Sequence, residues 1–129
     1  LRGYSSAIYL LAKLMAEAGL RLRLQAVFPT AETLYDHQRE VIEDNLGKVF
    51  EYYGCGEVNS IAFECEAHQG LHVSEEHVFL EVLREEKPAP EGEMGAVTLT
   101  TLQNYTMPLI RYQNADVAIR AASSDDRII

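Results

Sequence analysis

"TLYDHQREVIEDNLGKVFEYYGCGEV", Thr33 to Val58, decides how the chain is to be read. Its first half carries apolar residues at Leu34, Val41, Ile42 and Leu46, the spacing of one helix face. Thr33 with Asp36 three residues on has the form of an N-terminal cap, although Glu or Gln is the usual partner, and Gly47 is a stop. "KVFEYY", Lys48 to Tyr53, then reads as a strand and ends on Gly54, Cys55, Gly56 and an isolated acid, Glu57. Glycines after a strand either turn the chain or let backbone approach a ligand closely.

The same alternation runs upstream. "SSAIYLLAKLMAEAGL" has apolar residues at Ala7, Leu10 or Leu11, Leu14 and Ala18, with Ser5 or Ser6 as a cap and Gly19 as the end. "LQAVF", Leu24 to Phe28, is a short buried strand. Helix, strand, helix, strand predicts a parallel sheet with crossover helices. Downstream, "SIAFECE", "GLHV", "VFLEVLRE", "GAVTLTTL", "PLIRYQ" and "DVAI" are short and alternating, with "EEKPAPEGEMG" as a turn between two of them. The expected fold class is therefore α/β: a short parallel sheet with crossover helices, then antiparallel strands forming a small meander or partial barrel. Residues 1–58 would form the α/β part and 59–129 the β-rich part. In open parallel sheets ligands gather at the carboxyl ends of strands. Those ends are Phe28 and Tyr53, so the loops that follow them should share a rim, where Ala31, Gly54 and Gly56 could admit a flat ring.

Composition narrows the class of partner. The chain has 129 residues, 47% hydrophobic and 24% charged, which suits a packed domain or a piece of a larger one. Its net charge of −9, from 20 acids against 11 bases, disfavours a nucleic-acid binder. Two cysteines are too few for a disulfide framework, and no run reaches the roughly 20 apolar residues of a membrane span. A reduced, cytoplasmic protein is expected. The chain opens on Leu1 without Met, as a cut piece or processed form would.

Several motifs in order resemble the adenylate-forming enzymes, in the branch of the phenylacetate–CoA ligases and capsule-biosynthesis proteins. They are "VFPTAETLYDHQREVIEDNLGKVFEYYGCGEV", "FECEAHQGLHV" and "GEMGAVTLTTL" with "MPLIRYQNAD". The family's Tyr-Gly-x-Ser/Thr-Glu pattern is similar to Tyr53-Gly54-Cys55-Gly56-Glu57, with Gly56 where a hydroxyl residue is usual. The resemblance implies that the Tyr53 ring lies near adenine beside Gly54, and that Glu57 approaches the nucleotide's magnesium. The family's Gly-Ala/Gly-Glu-Pro turn resembles Thr30-Ala31-Glu32-Thr33, which would place Ala31 and Glu32 against the base. The family's Arg-Tyr-Arg-Thr-Gly-Asp pattern resembles Arg111-Tyr112-Gln113-Asn114-Ala115-Asp116. Asp116 would then accept the ribose hydroxyls, a task suited to a carboxylate's lone pairs. Neither a Gly/Ser/Thr-rich phosphate loop nor a lid domain with its lysine is found, so the chain resembles part of a larger adenylation domain.

Cys65, His68 and His72 stand at C-x2-H-x3-H spacing, a candidate zinc set, with Cys55 or His77 as further ligands. The alternative is that His68 faces solvent and Cys65 packs in the core. His37 is expected on a polar helix face, and Arg111 either reaches a phosphate or simply points outward from a strand.

The first functional expectation is part of an ATP-dependent ligase. It would use ATP and magnesium to activate a small-molecule carboxylic acid as an acyl-adenylate, then pass the acyl group to a thiol such as CoA. Without its phosphate loop and lid the chain alone should be inactive. The alternative is a non-catalytic nucleotide-binding or zinc-braced interaction module. A hydrolase built on Cys65, His68 and His72 lacks an ordered acid. Exposed sheet edges predict self-association.

Overall fold

Side chains at helical spacing hold two helices against a small parallel sheet in the N-terminal part of the chain. A computed structural model describes residues 1–121 and 127–128, and the chain divides into two compact units, Leu1–Gly54 and Cys55–Ile129. The first unit runs β1 (Arg2–Tyr4), α1 (Ser5–Glu17), β2 (Phe28–Thr30), α2 (Asp36–Asn45) and β3 (Tyr52–Tyr53). β1 pairs parallel with β2, with Arg2 opposite Phe28 and Tyr4 opposite Thr30. Val27 and Val49 form a parallel bridge, across which Val27 N–H donates to Lys48 O at 2.8 Å and Phe50 N–H to Val27 O at 2.9 Å. Ile8, Ala12, Val27, Ile42, Leu46 and Val49 make the core. The parallel sheet with crossover helices is thus the observed arrangement.

The face that α1 buries differs from the expected one. Ser5, Ile8 and Ala12 turn inward, while Leu10, Leu11 and Leu14 remain 55%, 42% and 53% exposed. The polar stripe of α1, Ser6, Lys13 and Glu17, is narrow, and the apolar residues on the rest of its circumference leave periodicity unable to single out the buried face. The caps also differ. Neither serine caps α1; instead Glu32 reaches across from the loop after β2, its Oε2 accepting the Ser6 N–H at 2.8 Å while Ser5 Oγ donates to Glu32 O at 3.0 Å. α2 begins after Tyr35 rather than at Thr33, and Gln38 Oε1 accepts the Tyr35 N–H at 3.2 Å. The end of α1 is as expected. Gly19 adopts φ +68°, with its N–H on Ala16 O at 3.0 Å and the Leu20 N–H on Met15 O at 2.8 Å. These are the paired bonds of a Schellman ending.

The second unit is antiparallel. β4 (Ala62–Glu64) and β5 (Leu71–Val73) form a hairpin, and β10 (Arg127–Ile128) adds beside β5. A second sheet has the order β7 (Lys87–Pro88), β6 (Val78–Arg84), β8 (Met94–Thr101), β9 (Tyr112–Ile119). This is the expected meander, and among the described residues it stays open rather than closing into a barrel. β8 is central, with Val97, Thr98 and Leu99 all buried.

No helix among the described residues is long and apolar enough to cross a membrane.

Candidate functional site

In the first unit the rim is built by parallel direction. Since Val27 pairs with Val49, counting on equally along both strands brings Ala31 level with Tyr53. The loops that begin at Ala31 and Gly54 therefore leave by the same edge of that unit. Ala31 holds φ +65°, in the region where a side chain costs energy. Tyr53 and Gly54 are half-buried. Glu32 is exposed, and the Ser6 backbone N–H at the start of α1 holds its carboxyl below the usual range. Glu32 thus acts on the positive end of a helix as an anchor for its loop.

In the second unit the acids stand on a loop and a strand. The Cys55 N–H donates to Val58 O at 2.9 Å, closing a tight turn that leaves Glu57 exposed. Tyr112, the first residue of β9, donates its hydroxyl to Glu57 Oε1 at 2.8 Å. This bond holds the Glu57 carboxyl below its ordinary value, and Glu57 pushes the Tyr112 phenol up in return. Glu57 is therefore ionised at neutral pH. Tyr112 is the residue that sequence reading misses: it lies 55 positions from Glu57, beyond any local pattern.

Farther along β9 the ladder breaks. Ala96 faces Val117 and Thr98 faces Gln113, so Val97 alone stands opposite Asn114, Ala115 and Asp116. This bulge carries Asp116 outward, exposed. Asn114 braces it: Nδ2 donates to Asp116 Oδ2 at 2.7 Å, and the Asp116 N–H donates to Asn114 Oδ1 at 3.2 Å. Ala115 takes φ +69°, the conformation that glycine adopts freely and alanine does not. Ala115, where the resembling motif carries glycine, thus sits in a left-handed turn. Ala115→Gly should stabilise the second unit by about 0.5–1 kcal/mol, because relief of the left-handed strain outweighs the extra freedom glycine gives the unfolded chain. Thermal denaturation followed by circular dichroism checks this; a lower midpoint would contradict it.

The cysteine–histidine cluster is only partly gathered. His72 Nε2 lies 3.3 Å from Cys65 Sγ, whereas His68 Nδ1 lies 3.0 Å from Glu64 Oε1 and His77 Nε2 2.9 Å from Asn59 O. Among the described residues no group of three or more His, Cys, Asp or Glu side chains is placed to hold a metal. Of the expected set, Cys65 and His72 lie together while His68 turns to Glu64; a structural zinc takes four ligands. His68, at φ +50° in a tight turn, points its ring at Glu64, four residues back, which spacing does not reveal. Arg111 is exposed, and its guanidinium pairs with Glu81 at 3.2 Å. His37 is exposed, as expected, and stacks on Tyr35 at 5.9 Å between ring centroids.

A short parallel α/β unit followed by antiparallel sheets is an arrangement this chain shares with part of a solved acyl-CoA ligase. The structure of 2-hydroxyisobutyryl-CoA ligase, solved with 2-HIB-AMP and CoA, superposes on 97% of this chain and 32% of its own, with TM-score 0.83 and 20% identity. By sequence the chain is similar to the phenylacetate–coenzyme A ligase of Thermus thermophilus, 34% identical over 102 residues and 74% of this chain. The enzyme of the same name from Pseudomonas putida is 32% identical over 104 residues, 76% of this chain. No protein-family model matches. The chain belongs to the adenylate-forming superfamily, alongside the phenylacetate–CoA ligases, and spans 23% of the length of those curated relatives.

Proposed function

We propose that this chain supplies part of the nucleotide site of an ATP-dependent acid–thiol ligase. In the first half-reaction a substrate carboxylate oxygen attacks the α-phosphorus of ATP, forming the acyl-adenylate and releasing pyrophosphate. In the second a thiol, CoA in the reading we favour, attacks the acyl carbon and AMP leaves. The observation that carries the proposal is the bond from Tyr112 to Glu57, because it joins the acid of the glycine loop to the strand bearing Asp116.

Each residue has a task in this scheme. Asp116, braced by Asn114, takes the ribose hydroxyls. Tyr53, Gly54, Ala31 and Glu32 are assigned to the base by the motif resemblance. Glu57 suits magnesium: it is exposed, held in its ionised form by hydrogen bonds led by that from Tyr112 to Oε1, and a carboxylate's four lone-pair sites leave room for a cation. Magnesium, when bound, would offset the phosphate charge. This chain's own contribution is positioning, and we expect it to hold a nucleotide without turning it over.

Calorimetry with AMP tests the reading. The chain should bind AMP, and Asp116→Ala should weaken that binding at least tenfold, since two hydroxyl donors lose a charged acceptor. An absence of AMP binding by the unaltered chain at millimolar nucleotide would overturn the proposal.

A further inference from the structure

We infer that Tyr112 is a positioning residue for the divalent cation of the nucleotide: its phenol fixes the Glu57 carboxylate so that the acid meets the metal already oriented. This inference rests on the ligase reading above. The geometry carries it. Glu57 projects, exposed, from a turn closed by the Cys55–Val58 hydrogen bond; its own backbone N–H and the Cys55 side chain also meet its carboxylate, but the largest single influence on it is the Tyr112 phenol. An exposed glutamate samples many rotamers, and holding it in one has an entropic cost at the moment of binding. The Tyr112 hydroxyl, 2.8 Å from Oε1, removes much of that freedom beforehand. The phenol is itself well fixed: it is half-buried at the start of β9, and Tyr112 is paired in register with the fully buried Leu99 of β8. A charge-assisted hydrogen bond of this kind leaves the remaining carboxylate lone pairs for a cation. The same strand continues into the bulge that presents Asp116, so one element governs both acids.

Titration of this chain with Mn²⁺ in the presence of ATP, followed by paramagnetic relaxation of water protons, tests the inference. Tyr112→Phe should weaken Mn²⁺–ATP binding about five- to tenfold while metal-free AMP binding stays within about twofold of the unaltered chain. A merely structural loss would lower both together. Glu57→Asp is the independent arm and leaves β9 untouched. It keeps the charge but withdraws it from the phenol by one methylene, and should give a similar loss; added to Tyr112→Phe it should cost little more, because both changes remove one contact. If either single variant binds Mn²⁺–ATP as tightly as the unaltered chain, or if AMP and Mn²⁺–ATP affinities fall in parallel, the inference is wrong and the ligase reading survives. If the unaltered chain binds no AMP, the ligase reading falls and takes the inference with it.

Discussion

Gly47→Ala is expected to destabilise the unit Leu1–Gly54 by about 2–4 kcal/mol, combining backbone strain with overpacking. Gly47 holds φ +142°, and a Cβ there would lie 2.4 Å from the carbonyl oxygen of Leu24 and 3.2 Å from its carbon. Leu24 has little room to retreat, since its N–H donates to Leu46 O at 2.7 Å. The clash is with backbone rather than a flexible side chain, so relief requires moving the segment that leads into Val27. Gly56→Ala is the matched control: a Cβ there meets nothing within 4 Å, and its effect should stay within about 0.5 kcal/mol. Thermal melts of the two variants followed by circular dichroism settle the matter, and a Gly47→Ala melt that overlays the parent would refute the packing described here.

Leu99→Ala should cost the second unit about 2–5 kcal/mol, the range for emptying a fully buried leucine site. Leu99 is 0% exposed in the central strand β8. Its neighbours in register are Leu80 on β6 and Tyr112 on β9. Both flanking strands are hydrogen-bonded to β8, so collapse into the cavity is resisted and the loss should lie toward the upper part of that range. A urea titration should show a lower midpoint with an unchanged slope. An unchanged midpoint would mean that Leu99 is not the packing centre of this sheet.

Much of the architecture is legible in the residues, for identifiable reasons. Gly19 and Gly47 mark helix ends because Gly19 takes a left-handed conformation that costs other residues energy and Gly47 lies against backbone. The alternation of "VFLEVLRE" and "GAVTLTTL" predicts β6 and β8, and these two strands pair along most of their length. The inward face of α1 is not legible, because apolar residues cover all of the helix except the narrow Ser6, Lys13 and Glu17 stripe and give periodicity little to choose between. Neither is the cap of α1, since Glu32 arrives from 26 residues away. The candidate site divides in the same manner. Glu57 and Asp116 stand out as acids at a glycine loop and a motif end. The Tyr112 bond, the Ala115 turn and the His68–Glu64 contact each depend on distances through space or on a backbone angle that no local pattern encodes.

The outward leucines of α1 have a practical consequence. Dyes that brighten on apolar surface are commonly taken to report partly unfolded protein. Here Leu10, Leu11 and Leu14 present such a surface on an ordered helix, so staining of the purified chain is no evidence of misfolding and its decay on heating can mark the melting of that helix.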